Sequence, residues 1–189
     1  MLALRAIFAD TWAWRIGIDM RVILFRHGPA EVRDPSRWPE DTERPLTRRG
    51  EKRSRRAALG LRRIEPGVAR LVTSPLERAA RTARILSRAL KIERVETLDA
   101  LAPGGSPRKV IEALNRYPRL DTVVAVGHEP DLGVLAGLLL FNNGASLPLE
   151  KAGACSIAFE STVRPGAGTL EWVAPPRLLC RMSRKRASR

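Results

Sequence analysis

Val22-Ile23-Leu24-Phe25-Arg26-His27-Gly28 is the stretch from which the fold can be read. Four consecutive apolar residues, two of them β-branched, read as a short strand buried on both faces. The run then changes within one residue to an arginine, a histidine and a glycine. Met20 stands just ahead of it, so a domain could start there, and residues 1–19 are then either an N-terminal extension or the product of an upstream start codon.

Working outward, apolar runs and helical patterns alternate. Leu46-Thr47 opens a helix that runs through Leu59 and Leu61 to about Arg63, with Thr47 as N-cap and Glu51 in its early turns. Leu71-Val72-Thr73 reads as a second strand. Ser74 is then the expected N-cap of a helix starting at Pro75, with Leu76, Ala79, Ala80, Ala83, Leu86 and Leu90 at helical spacing. Residues 95–98 form an edge strand, and Ser106-Pro107 caps a helix with Val110, Ile111 and Leu114 inward. Residues 122–126 are the clearest strand of the chain, followed by a helix from Pro130 that carries Leu132 and Leu135. Residues 156–159 and 170–173 read as a final hairpin joined through Pro165-Gly166-Ala167-Gly168. Alternating strands and helices imply an α/β fold, a three-layer α/β/α sandwich around a mainly parallel central sheet.

In such sheets ligands bind beyond the carboxyl ends of the strands. After the first strand come Arg26, His27 and Gly28; after the second, Thr73 and Ser74, then Arg78; after the clearest strand, Gly127 and His128. Both histidines of the described pattern and two arginines therefore fall on one edge of the sheet. A phosphoryl group in transfer spreads negative charge over three oxygens and needs fixed donors, positive charge and an in-line nucleophile. Arginine offers a rigid fork of N–H donors, and a neutral histidine offers a nucleophilic nitrogen. Gly28 lets the backbone approach a phosphate and is expected to present its N–H to it.

These residues resemble those of a known family. The segment from Val22 to Gly28 is similar to the N-terminal signature of the histidine phosphatase superfamily, which includes the cofactor-dependent phosphoglycerate mutases. Arg44-Pro45-Leu46-Thr47 followed by Gly50 resembles the family's R-x-L-T-x-x-G. Thr73-Ser74-Pro75-Leu76-Glu77-Arg78-Ala79, followed by Thr82-Ala83, resembles its S-P-x-x-R-A-x-x-T-A. Val126-Gly127-His128-Glu129-Pro130 resembles its second histidine motif. The resemblance spans about residues 20 to 178, which makes residues 179–189 a basic C-terminal tail. It implies a phosphoglycerate mutase-like fold, with His27 as a nucleophile that forms a phosphohistidine and Arg26, Arg78 and His128 completing the phosphate pocket. It implies no cofactor and no metal. The short chain, Leu101-Ala102-Pro103-Gly104 and the late segment from Leu170 through Pro175 to Leu178 most resemble the SixA-type phosphohistidine phosphatases.

One position departs from the family. Many members carry a Glu, the general acid, two residues after a Leu that ends the third strand. Here Leu98 is followed by Asp99 and Ala100. Asp99 is then the acid shifted by one residue, Glu31 is an alternative on the loop after the nucleophile, or the segment supplies no acid. Loss of an acid hurts alkyl phosphoesters most, because an alkoxide is a poor leaving group. An imidazole can bring its own proton, so the expected substrate is a phosphohistidine protein or a small phosphoester. The alternative is a catalytically weak phosphate-binding or regulatory module of the same fold.

Composition narrows the partners. The 189 residues suit one domain, and 44% hydrophobic content is ordinary for a globular core. A formal net charge of +14 fits either an anionic partner (phosphate, nucleic acid or an acidic protein surface) or a composition that simply favours Arg over Lys. An aromatic content of 5% and the lack of a recognition motif argue against nucleic acid as the primary one. Cys155 and Cys180 match no metal spacing and read as free thiols of a reducing compartment. No run spans a bilayer and residues 1–19 hold no clean signal-peptide core, so the expected location is the cytoplasm.

Overall fold

The computed structural model describes residues 20–119 and 121–183. The proposed extension at residues 1–19 and the last six residues of the expected tail lie outside them. Six strands form one sheet: β1 (Met20–Arg26), β2 (Val68–Thr73), β3 (Glu96–Thr97), β4 (Thr122–Gly127), β5 (Ala154–Phe159) and β6 (Thr169–Ala174). Their spatial order is β3-β2-β4-β1-β5-β6. The first four are parallel to one another, and β5 and β6 continue the sheet as an antiparallel hairpin beside β1.

Helices cover both faces. The strand alternation that sends Ile23 and Phe25 to one face and Val22 and Leu24 to the other separates two cores. On the first face lie α1 (Arg48–Ile64), α2 (Glu77–Leu90) and α5 (Pro176–Met182), which contribute Leu61, Leu86 and Leu179. On the second lie α3 (Pro107–Leu114) and α4 (Asp131–Phe141), with Leu114 and Leu139. The three-layer arrangement and the mostly parallel sheet are those expected from the sequence.

Several boundaries differ from expectation, and two of the differences have a reason in the packing. Helix α2 begins at Glu77, and Ser74 does not cap it. Its amide instead donates to the Val126 carbonyl at 3.0 Å, which keeps Ser74 attached to β4. At the other end, α5 carries ordered chain to Met182, four residues beyond the expected end of the domain at 178. Leu179 is fully buried against α1, where Gly60 lets the two backbones meet: a Cβ at Gly60 would stand 2.0 Å from the Leu179 carbonyl oxygen.

The sheet order places the chemistry. β1 and β4 are neighbours in register, Arg26 opposite Gly127, so the next residue of each strand is a histidine beside a histidine. The His27 amide donates to the Gly127 carbonyl at 3.1 Å and holds that alignment one residue past the strands. β2 flanks β4 on its other side, which brings Ser74 and the first turn of α2, with Arg78, to the same edge.

Candidate active site

The His27 and His128 rings stand 5.0 Å apart between centroids, inclined at 55°. Both are almost fully buried, as is Arg78. His27 is fixed by a short contact of 2.7 Å between Nδ1 and the carbonyl oxygen of Gly28. A carbonyl only accepts, so Nδ1 carries the proton and the Nε2 lone pair is the free, nucleophilic position. Burial pushes the His27 pKa down to about 4, and Arg78, Arg26 and Lys151 push in the same direction against the Gly28 carbonyl. The ring is therefore neutral near pH 7. His128 is held even lower, about 3, by burial, by His27 and by Arg78.

The two arginines share one mode of attachment. Arg26 donates from Nη1 to the Leu149 carbonyl at 2.7 Å. Arg78 donates from Nη1 to the Asp41 carbonyl at 2.8 Å and pairs with the Asp41 carboxylate at 3.0 Å. In both cases Nε is buried and has no hydrogen-bond partner, and His128 Nδ1 is in the same condition. Buried donors normally find partners, because leaving one unpaired costs about 1–3 kcal/mol. Three such atoms sit on the residues around the His27 ring.

The supporting shell is polar. The Asp41 carboxyl is held below the usual range by its hydrogen bond from Arg44, 2.7 Å long, and by the charge of Arg78. Glu129 accepts the Leu149 amide at 2.9 Å, which fixes the carbonyl that anchors Arg26. Thr82 Oγ1 bridges the first motif and α2: it accepts the Gly28 amide at 3.1 Å and donates to the Arg78 carbonyl at 2.7 Å.

Arg26, His27, Arg78 and His128 thus converge as the sequence led us to expect, while Gly28 serves differently. Its N–H is engaged by Thr82 rather than free for a phosphate. Its lack of a side chain admits α1, since a Cβ there would stand 2.2 Å from Ser54 Oγ. Asp99 does not join the site. It is exposed, on a short 3₁₀ turn (Asp99–Leu101), and lines a depression with Lys109, Glu112 and Arg116. Ala100, its neighbour, lines a separate depression with His128 and Asp131. Glu31 is tied by its main chain to the segment opposite, through Pro45 and Arg44. Sequence reasoning missed Asp41, which has no motif around it, and the tasks of Ser74 and Thr82, which lay inside a quoted motif.

The sequence profile of the histidine phosphatase superfamily (branch 1) matches residues 22–103. A solved structure of the protein histidine phosphatase SixA complexed with tungstate superposes with a TM-score of 0.73 at 26% identity, covering 84% of this chain and 98% of that one. The chain belongs to the histidine phosphatase superfamily. Within that superfamily its place is the SixA-type branch. An uncharacterized protein of Picosynechococcus sp. (strain ATCC 27264 / PCC 7002 / PR-6) is 38% identical over 137 residues, 71% of this chain and 82% of the relative. A SixA structure from Agrobacterium tumefaciens shares the fold at 17% identity, with a TM-score of 0.65 and coverage of 82% and 97%. Superfamily membership makes the chain a phosphatase by fold and family. No helix among the described residues is long and apolar enough to cross a membrane.

Proposed function

We propose that this phosphatase works through a phosphohistidine at His27 and that its substrate is a phosphohistidine side chain or a small phosphoester with a good leaving group. The observation that carries this reading is the set of three unpartnered buried nitrogens, Arg26 Nε, Arg78 Nε and His128 Nδ1, on the residues around the His27 ring. In the first step the lone pair of His27 Nε2 attacks phosphorus as the bond to the leaving group breaks. The ring becomes cationic, and the Gly28 carbonyl stabilises that charge by accepting the Nδ1–H. In the second step a water oxygen attacks phosphorus, Nε2 departs with its electron pair to leave a neutral ring, and the water gives up a proton to bulk solvent as phosphate forms. Arg26 and Arg78 neutralise the three phosphoryl oxygens throughout, so the reading requires no divalent ion. The tungstate bound by the SixA relative, a tetrahedral oxyanion, supports a phosphoryl-sized seat here.

The leaving group follows from Ala100. Ala100, which stands where many family members carry Glu, lines the depression that holds His128, whereas Asp99 lines only the neighbouring one. Without proton donation from this segment an alkoxide leaves slowly, whereas a protonated imidazole or an acidic phenol leaves readily. A phosphohistidine protein is the substrate that suits this chemistry best. The two free cysteines, one buried and one half-buried, support a reducing compartment such as the cytoplasm.

A substrate panel tests the proposal. Phosphohistidine protein and an aryl phosphate are expected to turn over in EDTA at least about 100-fold faster than a sugar phosphate, the size of a typical general-acid contribution. His27→Ala is expected to abolish turnover, and Asp99→Asn to leave every rate unchanged. Acid quench of the wild type is expected to trap label on His27. Equal rates on aryl and alkyl phosphates would defeat the leaving-group argument. Strict Mg²⁺ dependence would defeat the arginine mechanism, and binding without turnover on any substrate would favour the regulatory module.

A further inference from the structure

Ser74 belongs to a motif whose arginine the mechanism uses, yet its own side chain remains unassigned once the helix cap is excluded. It is fully buried, and Oγ lies 2.8 Å from His128 Nε2. The same oxygen accepts the Leu76 amide at 3.3 Å. The Leu76 N–H is a donor by necessity, so it occupies one lone pair of the hydroxyl. The hydroxyl proton is then free to serve one acceptor, and the nearest is His128 Nε2.

We propose that Ser74 is a positioning residue that sets the tautomer of His128: its hydroxyl donates to Nε2, which places the imidazole proton on Nδ1 as a donor to the transferring phosphoryl group. The opposite assignment puts the proton on Nε2. It leaves the hydroxyl proton without an acceptor, and it presents a bare nitrogen lone pair at Nδ1 to an anion. That arrangement loses one hydrogen bond and adds a repulsion. The backbone keeps this contact in place, because the Ser74 amide is fixed on the Val126 carbonyl, two residues before His128. Serine and histidine are therefore held by one pair of strands and do not drift apart.

The two rings then have complementary tasks. His27 has its proton tied down at Nδ1 by a carbonyl and offers a lone pair at Nε2. His128 has its lone pair tied down at Nε2 by a hydroxyl and offers a proton at Nδ1. One ring can only attack and the other can only donate. Two chemically identical side chains are told apart by what stands behind them, a general feature of histidine sites.

The donor role at the phosphoryl group rests on the phosphatase reading above; the tautomer itself does not, and the two are measured separately. In free, ¹⁵N-labelled protein, long-range ¹H–¹⁵N correlation spectra distinguish the tautomers by the two ring nitrogen shifts. His128 is expected as the Nδ1–H form in the wild type and to lose that preference in Ser74→Ala. Ser74→Thr keeps the hydroxyl and is expected to restore it. Orthovanadate, used as an oxyanion probe, is expected to bind Ser74→Ala at least about tenfold more weakly and Ser74→Thr within a few-fold of wild type. A wild-type His128 protonated on Nε2 would overturn the proposal even if every variant failed to fold. So would a Ser74→Ala protein with unchanged ring shifts and unchanged vanadate affinity. A correct tautomer with no vanadate binding at all would leave Ser74 its role and count against the phosphatase reading.

Discussion

Arg26 and Arg78 show how a guanidinium is fixed at one end and left unpaired at the other. Each is held at Nη1 by a loop carbonyl and keeps Nε buried and unpaired. Fixing one end of the guanidinium removes most of its rotational freedom and aims the other, which is the property that separates arginine from lysine. Arg78→Lys preserves the charge but cannot reach both Asp41 and a phosphoryl oxygen. It is expected to lower kcat/KM on an aryl phosphate by about 10²–10³, comparable to removing one oxyanion donor, with an unchanged thermal midpoint. A loss under about threefold would mean that a point charge suffices. The four central residues were legible in the sequence because each follows a strand within a few positions. Asp41 was not, because its approach to Arg78 depends on how the loop from Pro29 to Arg44 folds back, and nothing local records that. The place of Asp99 was hard to read for a related reason: on a 3₁₀ turn, a shift of one residue rotates a side chain to another face.

At the scale of elements, the loop after His27 is clamped against α1 by two glycines. A Cβ at Gly28 would meet Ser54 Oγ at 2.2 Å, and one at Gly50 would meet the Pro29 carbonyl oxygen at 1.8 Å. The obstacles differ in kind, since Ser54 is a side chain that can be removed and Pro29 is backbone. Ser54 Oγ is also buried without a partner, so Ser54→Ala alone is expected to be neutral or slightly stabilising. Gly28→Ala is expected to destabilise by about 1–3 kcal/mol and to reduce activity by displacing His27. Adding Ser54→Ala should recover most of both losses, whereas it should not rescue Gly50→Ala. Urea unfolding and aryl phosphate turnover on the five proteins check this, and equal rescue of the two glycine variants would refute the clamp. The element order was readable because the apolar periods were clean. The starts and ends were less so. Pro75 has the residue chemistry of a helix start, but Ser74 is engaged by β4 and His128, and the chain needs two further residues to turn. Residues 179–182 read as the start of a tail because basic residues follow them; only the seating of Leu179 on Gly60 reveals that they belong to the core.

For the whole molecule, the price of a neutral, buried histidine pair is sensitivity to mild acid. Folding lowers the pKa of His27 to about 4 and that of His128 to about 3, while an unfolded histidine titrates near 6.5. Between pH 6.5 and 4 the unfolded chain therefore takes up protons that the folded chain refuses. The stabilisation is complete above the unfolded value and is lost as pH falls through it. From these values each histidine alone would remove about 2 kcal/mol between pH 7 and pH 5. The two rings repel each other when charged, so their shares are not simply additive. Asp41 contributes with the same sign but at lower pH, because its depressed carboxyl matters only once ordinary carboxylates begin to protonate. Unfolding in urea at pH 7, 6 and 5 thus follows mainly the histidines, opposed at the acid end by Glu129, whose carboxyl burial pushes above its ordinary range. The wild type is expected to lose stability steadily across that range, and His27→Asn and His128→Asn are each expected to lose distinctly less. Saturating orthovanadate should flatten the wild-type dependence, because an oxyanion between the arginines favours a protonated His128 and returns part of the lost proton affinity. Parallel pH profiles for the wild type and both variants would mean that the histidines are already hydrated in the folded protein, and would remove the basis for a neutral nucleophile at His27.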